Sequence, residues 1–361
     1  MKLSKSAVVI GASLSGLLTA LALAKVGVPV TVLERSKPIQ RRGATLSVGN
    51  GMRDTDPIAN YLRAVAAGSE GGVESWHAIY RRLQKEADQQ RLIDIYYETE
   101  VVSVSQDDGA VYAQTASGIE FQGDLLVGAD GGRSVVRTLV NPAHPSAEFA
   151  GYLLWVALVE EAELPQGVQL AQNVSGFNMF DGVGEDFLFG MVTASLDGSR
   201  RPGDRLLGLA WYDNSFNSFL YASGAVKDGV VQRTLNGSSI SSSVYETLLK
   251  RSSTFPQPWA SAVEIAIKQH YLVATPIAEY VPTQLVQGRM GLVGDAAHLM
   301  TPMTAEGFNS SLDDATILAR QLAEKSSVPA ALLDYQSQRL SEVRRIVQSG
   351  QSFSRSFGKK E

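Results

Sequence analysis

Three short clusters in this sequence hold residue types that could do chemistry. The first is Gly11-Ala12-Ser13-Leu14-Ser15-Gly16. It keeps the G-x-G-x-x-G spacing with Ser13 in the middle. Such a run gives a tight turn at Gly11 and close helix–strand packing at Gly16, and it aims free N–H groups of a helix start at a pyrophosphate. Glu34, followed by Arg35, ends the next apolar run, where a carboxylate could hold a ribose diol. A Gly-rich turn with no ligand is the alternative. An esterase elbow, G-x-S-x-G, fails because residue 15 is Ser. The second cluster is Gly128-Ala129-Asp130-Gly131-Gly132-Arg133-Ser134 with Arg137, an Asp delivered into a Gly-rich turn. The third is Gly294-Asp295-Ala296-Ala297-His298, then Pro302, Gly307, Phe308 and Asn309. An Asp at a strand end can hold polyol hydroxyls, and amides at a helix start can stabilise negative charge.

The surrounding pattern supplies elements to position these clusters. Ala7–Ile10 is a β-branched run ending in glycine, which predicts a buried parallel strand. Leu14–Lys25 is Leu- and Ala-rich and predicts a helix stopped by Gly27. A strand over 28–33 completes a β-α-β unit. Residues 125–130 and 290–295 repeat the strand-then-glycine pattern. Trp76 to Gln89 reads as a helix, and residues 36–75 show no clear period. Aromatic-rich strands over 152–159, 176–180, 187–192 and 206–212 suggest an antiparallel sheet. Helices are expected near 243–251, 260–269, 307–324 and 329–355. The expected fold class is therefore α/β. A Rossmann-like domain with a parallel sheet, formed by residues 1–150 and 275–361 with the C-terminal helices, carries the cofactor. Residues 151–274 form a mainly antiparallel substrate domain.

Composition excludes several functions. With 32 Lys+Arg against 37 Asp+Glu, the net charge is −5 and no basic stripe exists, which argues against nucleic acid as a partner. There is no cysteine, so thiolate metal sites and cysteine nucleophiles are out. No His pair with an intervening Glu suggests zinc, and no metal is expected. Gly11, Ser13, Ser15 and Gly16 interrupt the apolar N-terminus, so it does not read as a secretory signal. No apolar run suits a membrane span. The chain reads as cytoplasmic.

Taken together, the three clusters resemble the FAD-dependent aromatic hydroxylases, single-component flavin monooxygenases of the p-hydroxybenzoate hydroxylase type. Within that family, Gly151-Tyr152 leading to Trp155, with Tyr80 after Trp76, looks most similar to the 2,6-dihydroxypyridine 3-hydroxylase group. The resemblance implies FAD as cofactor, with Gly11, Ser13, Leu14, Ser15, Gly16, Glu34, Arg35, Arg42, Asp130, Asp295, Pro302, Gly307, Phe308 and Asn309 contacting or framing it. It implies NADH or NADPH as a transient reductant, O2 as co-substrate, and a small electron-rich aromatic or N-heteroaromatic substrate. That ring would be hydroxylated through a flavin C4a-hydroperoxide. The chain departs from the family at Ala305, where relatives carry Gly, and in a short 36–75 region.

His298 and Pro302, beside the expected flavin site, are the catalytic candidates. Tyr152, Trp155, Phe187, Phe189, Trp211 and Tyr212 are candidates for an apolar substrate pocket, with sheet packing as the plainer role for each. His77 and His270 read as structural and His144 as solvent-facing. The final helix could pack on its own chain or form a homodimer. A flavoprotein reductase, an epoxidase and a non-catalytic FAD- or ligand-binding relative remain alternatives.

Overall fold

The computed structural model describes residues 5–38, 45–48, 55–67, 72–168, 170 and 177–359. Its helices are α1 (Leu14–Lys25), α2 (Pro57–Ala67), α3 (Trp76–Asp88), α4 (Val135–Val140), α5 (Asn217–Ala222), α6 (Ser242–Ser252), α7 (Trp259–Lys268), α8 (Gly307–Glu324) and α9 (Val328–Phe357).

One sheet runs in the order Val286–Gln287, Met290–Leu292, Leu125–Gly128, Ala7–Ile10, Val30–Leu33, Ile93–Tyr96. Its pairs are parallel except the hairpin at the Val286 edge. Ala7–Ile10 is buried on both faces, as its unbroken β-branched run requires. Ile10, Leu33, Gly128 and Leu292 pair in register, so the strands end along one edge. That edge places Gly11–Gly16, Glu34, Ala129–Ser134 and Val293–His298 side by side. Ligands of open parallel sheets bind outside this carboxyl edge, at the point where strand order reverses. Helix α1 packs between the sheet and α8, buried nearly all round. Gly27, at φ +83°, ends it.

The second sheet is antiparallel, in the order Phe177–Asp181, Phe187–Thr193, Leu206–Asp213, Glu148–Glu160, Val273–Glu279, Leu235–Asn236. Helices α6 and α7 cover one face. The last turns of α9 cover part of the other. The long α9 also packs on the first core through Leu332, Val343 and Leu340, so it is anchored within its own chain. The fold class thus agrees with the pattern in the sequence. Two features had no clear signal. Thr45–Val48 and Gly72–Ser75 form an antiparallel pair around α2, within a stretch too rich in Gly, Asp and Ser for a visible period. Val273–Glu279 pairs with Glu148–Glu160, although its Pro276 disfavours a strand.

Candidate functional site

The turn after Ala7–Ile10 is closed by sterics. Gly11 sits at φ +101°, and a Cβ there would lie 2.6 Å from the Ala129 carbonyl oxygen. A Cβ on Gly16 would lie 1.9 Å from the Gly11 oxygen. Ser13 begins α1 without a side-chain cap, so amides of the first turn stay available for a ligand. Glu34 accepts from the Ala12 amide at 2.8 Å and the Ser36 amide at 2.9 Å. These bonds fix its carboxylate at the rim of a cleft lined by Ala12, Ser13, Glu34, Ser36, Lys37, Trp76 and Tyr80. Trp76 and Tyr80 stack at 5.0 Å, one turn apart on α3, and form a flat wall. In the sequence, Trp76 and Tyr80 marked a resemblance without a place in the cleft, although their i, i+4 spacing put both rings on one helix face. Arg35 does not line the cleft and is exposed; Lys37 lines it instead. Arg42 lies outside the described residues.

The second and third clusters meet the first. Gly294 has φ +57°, and a Cβ on it would come within 2.5 Å of the Ser15 Cβ. Asp130 accepts from the Val135 and Val136 amides at 2.7 and 3.3 Å through one oxygen. Its other oxygen is buried with no partner among the described residues. Desolvation holds its carboxyl above the usual range, against the Ser134 and amide hydrogen bonds. Asp295 is exposed; desolvation raises its carboxyl, with His298 and Arg137 opposing. Arg137, almost fully buried, ties the two clusters together. It donates to the Pro145 oxygen at 2.8 Å, the Ala296 oxygen at 3.1 Å and the Gly132 oxygen. Its guanidinium lies 4.4 Å from the Tyr280 ring centroid.

Helix α8 packs on the Gly294 turn, where a Cβ on Gly294 would lie 3.1 Å from the Ser311 hydroxyl. Its first residue, Gly307, has open space where a Cβ would be, and no side chain caps the helix. Asn309 accepts from Arg63 at 3.0 Å. Pro302 is exposed, in a short turn capped by Thr301. Phe308 differs from expectation. Its side chain is packed in the core, because it begins the buried stripe of α8, and only its backbone can serve a ligand.

His298 also departs from the catalytic role expected of it. It is 1 % exposed, and its Nε2 lies 2.6 Å from Asp314. Asp314 further accepts from the Gly294 amide at 2.9 Å and from Arg339 at 2.8 Å. Burial pushes the Asp314 carboxyl up, but His298 and Arg339 outweigh it and hold it at about 2. His298 is thus a positioning residue beneath the Gly294-Asp295 turn and faces no substrate space.

The aromatic candidates divide between two faces. Tyr152, Phe187, Phe189 and Tyr212 share one face, with Leu154 and Val156. Phe187 stacks on Tyr212 at 4.7 Å. Phe353 and Phe357 of α9 complete this cluster, a contribution no sequence pattern announced. The Tyr152 hydroxyl shares a 2.5 Å hydrogen bond with Thr301, joining this face to the Pro302 turn. Burial pushes the Tyr152 phenol up to about 12. Trp155 and Trp211 must be removed from the pocket list. They pair across strands on the opposite face, under α6 and α7. Their ring nitrogens donate to Asp213 at 3.2 Å and Asp186 at 2.8 Å. Arg251 bridges these two carboxylates at 2.9 Å each. Period-two alternation is the reason: residues 152 and 155, or 211 and 212, cannot share a sheet face.

The FAD binding domain family matches residues 75–190 and 260–350 of the sequence, more than half of the chain. This chain belongs to the FAD-dependent monooxygenase family. Its sequence is 27 % identical to an aurachin C monooxygenase/isomerase of Stigmatella aurantiaca, covering 96 % of this chain and 88 % of that protein. It is 25 % identical to a 2,6-dihydroxypyridine 3-monooxygenase of Paenarthrobacter nicotinovorans, covering 92 % and 87 %. The fold matches the 2,6-dihydroxypyridine-3-hydroxylase structure from Arthrobacter nicotinovorans with a TM-score of 0.77 at 21 % identity, over 100 % of this chain and 95 % of the other. It matches Klebsiella pneumoniae HpxO, complexed with FAD and uric acid, with a TM-score of 0.71 at 21 % identity, over 100 % and 90 %. As a flavin monooxygenase, the chain has FAD as its cofactor. The cleft fits that molecule: a turn closed to side chains, an unspent buried carboxylate oxygen on Asp130, and an open helix start at Gly307. Among the described residues no group of acids and histidines could hold a metal, and no helix is long and apolar enough to cross a membrane.

Proposed function

We propose that this flavin monooxygenase uses NADH or NADPH and O2 to hydroxylate a small electron-rich aromatic or N-heteroaromatic ring. One observation carries the reading. The aromatic face of the second sheet is tied to the Thr301–Pro302 turn, which follows the third cluster, by the Tyr152–Thr301 hydrogen bond. A flat ring held against the half-buried edges of Phe187 and Phe189, which pack with Tyr152 and Tyr212, would lie on the face of the sheet that Thr301 reaches. The names of the relatives, which include dihydroxypyridine and urate hydroxylases, support an N-heteroaromatic substrate.

Within this reading the adenosine half of FAD rests against Trp76 and Tyr80, with Glu34 on the ribose diol. The α1 amides near Ser13–Gly16 take the pyrophosphate. Asp295 takes the ribityl hydroxyls, and the α8 amides from Gly307 face the pyrimidine edge. FAD, when bound and reduced, supplies the oxygen-transfer chemistry. The chain's own share is orientation and dryness. Phe187, Tyr212, Phe353 and Phe357 exclude water from the ring. Tyr152, fully buried and with its phenol raised to about 12 by burial, keeps its proton at neutral pH and holds the Thr301 hydroxyl in place.

The test is the absorbance spectrum of the purified protein, then anaerobic NADH or NADPH with candidate hydroxypyridines and phenols. Flavin bands that bleach faster with a ring compound, and a product heavier by one oxygen, support the hydroxylase. Bleaching without oxygen incorporation moves the function to a reductase. A yellow protein that neither nucleotide bleaches refutes turnover.

A further inference from the structure

A second cleft, of about 700 Å³, lies on the outer side of α3. One wall is the helix, through Ala78, Arg81, Arg82 and Lys85. The other is the loop Ser195–Gly198, which leaves the antiparallel sheet. Glu74, 5 % exposed, ties the walls together by pairing with Arg82 at 3.4 Å and Arg200 at 3.3 Å. Arg82 is further spent on the Ala66 carbonyl, at 2.7 and 3.0 Å. Asp197 is spent on Ser195 and the Ser199 amide. Arg81 and Lys85 are different. They are exposed, one turn apart on the cleft side, and make no ion pair or hydrogen bond among the described residues. Asp88, at the far end of the helix, is the one carboxylate of the lining without such a bond. His77, one turn before Arg81, is buried at 3 % exposure with neither ring nitrogen partnered. The cleft therefore offers two unspent cations above a small floor residue, Ala78.

We infer that this cleft docks the phosphorylated adenosine end of NADPH, with Arg81 and Lys85 bracketing its 2′-phosphate. The inference rests on the proposed use of a nicotinamide reductant. The sequence has one dinucleotide fingerprint, and FAD takes it, so a second dinucleotide must bind elsewhere. Helix α3 serves both clefts. Trp76 and Tyr80 line the first, and Arg81 and Lys85 line the second, one residue round the helix and so about 100° away. The two dinucleotides would be held on neighbouring faces of one helix. A dianionic phosphate between two cations at i and i+4 suits NADPH better than NADH, which lacks that group.

The test is calorimetric titration of the FAD-loaded protein with NADP+ and NAD+, which bind without reducing the flavin. The expected result is NADP+ bound at least about tenfold more tightly than NAD+, with that margin lost in Arg81→Ala/Lys85→Ala and kept in Arg81→Lys/Lys85→Arg. FAD affinity and reduction by dithionite should not change in either variant. No NADP+ binding by the parent protein, or equal binding by the Ala variant, overturns the inference. Anaerobic bleaching by NADPH is read separately. A protein that NADPH bleaches, but whose Ala variant binds NADP+ unchanged, loses this site and keeps the hydroxylase reading. A protein that binds NADP+ through Arg81 and Lys85 without being bleached by NADPH keeps the site and loses that reading.

Discussion

Replacing Asp314 by Asn tests the architecture beneath the flavin site. Asp314 is fully buried and serves three donors: the Gly294 amide, His298 and Arg339. Asn keeps the shape but removes the charge. Arg339, 3 % exposed, would then hold a buried guanidinium with only neutral acceptors, the amide oxygen and Ser310. Breaking a buried pair in this way costs about 3–5 kcal/mol. Linkage gives an independent figure. The Asp314 carboxyl is held at about 2 against an ordinary 3.8, and at 1.36 kcal/mol per unit that is about 2 kcal/mol. The folded pKa is depressed, so this stabilisation is full above pH 4 and is lost as pH falls toward 2. Urea unfolding of wild type and Asp314→Asn, from pH 7 down to pH 3, is the assay. The expected loss at neutral pH is about 2–4 kcal/mol, and the gap between the two proteins should narrow below pH 4. A loss under about 1 kcal/mol, or a gap independent of pH, would refute the reasoning.

Gly11→Ala should abolish FAD retention during purification. Its Cβ would lie 2.6 Å from the Ala129 oxygen at φ +101°, and a yellow variant of normal affinity would contradict the closed turn. Ala305 occupies the left-handed region at φ +53°, so Ala305→Gly should raise thermal stability by up to about 1 kcal/mol; a lower melting temperature would count against it. Phe187→Ala should raise the substrate KM and the share of reduced flavin wasted as H2O2. Trp211→Phe should cost about 1 kcal/mol in urea through its lost Asp186 bond while leaving KM unchanged. The opposite pattern in the two variants would reverse the assignment of sheet faces.

Much of the site was legible because its chemistry is local. Gly11 and Gly16 sit five residues apart on one strand–turn–helix, and only glycine fits either position. Asp130 and Asp295 follow apolar strands of the same type, so their turns lie on one sheet edge once the strands are parallel. Ala305 is visible in the sequence, but its left-handed backbone is seen only in the fold. The aromatic residues were less legible. Being rich in aromatics marked the second sheet without saying which rings face the flavin side. Strand alternation, carried through to Tyr152 against Trp155, would have separated them. His298 adjoins Asp295 in sequence, yet Asp314 on a later helix draws its ring downward into the core.

The sequence alone determined the cofactor class and the α/β plan, because glycine spacing, β-branched runs and helix starts act over a few residues. Only the tertiary structure decided which side chains share a space. Trp76 and Tyr80 reach Glu34, Arg137 reaches Ala296, and Phe353 and Phe357 reach Tyr212 over long stretches of chain. Those contacts come from packing helices and a second sheet against one edge, and no local periodicity encodes them.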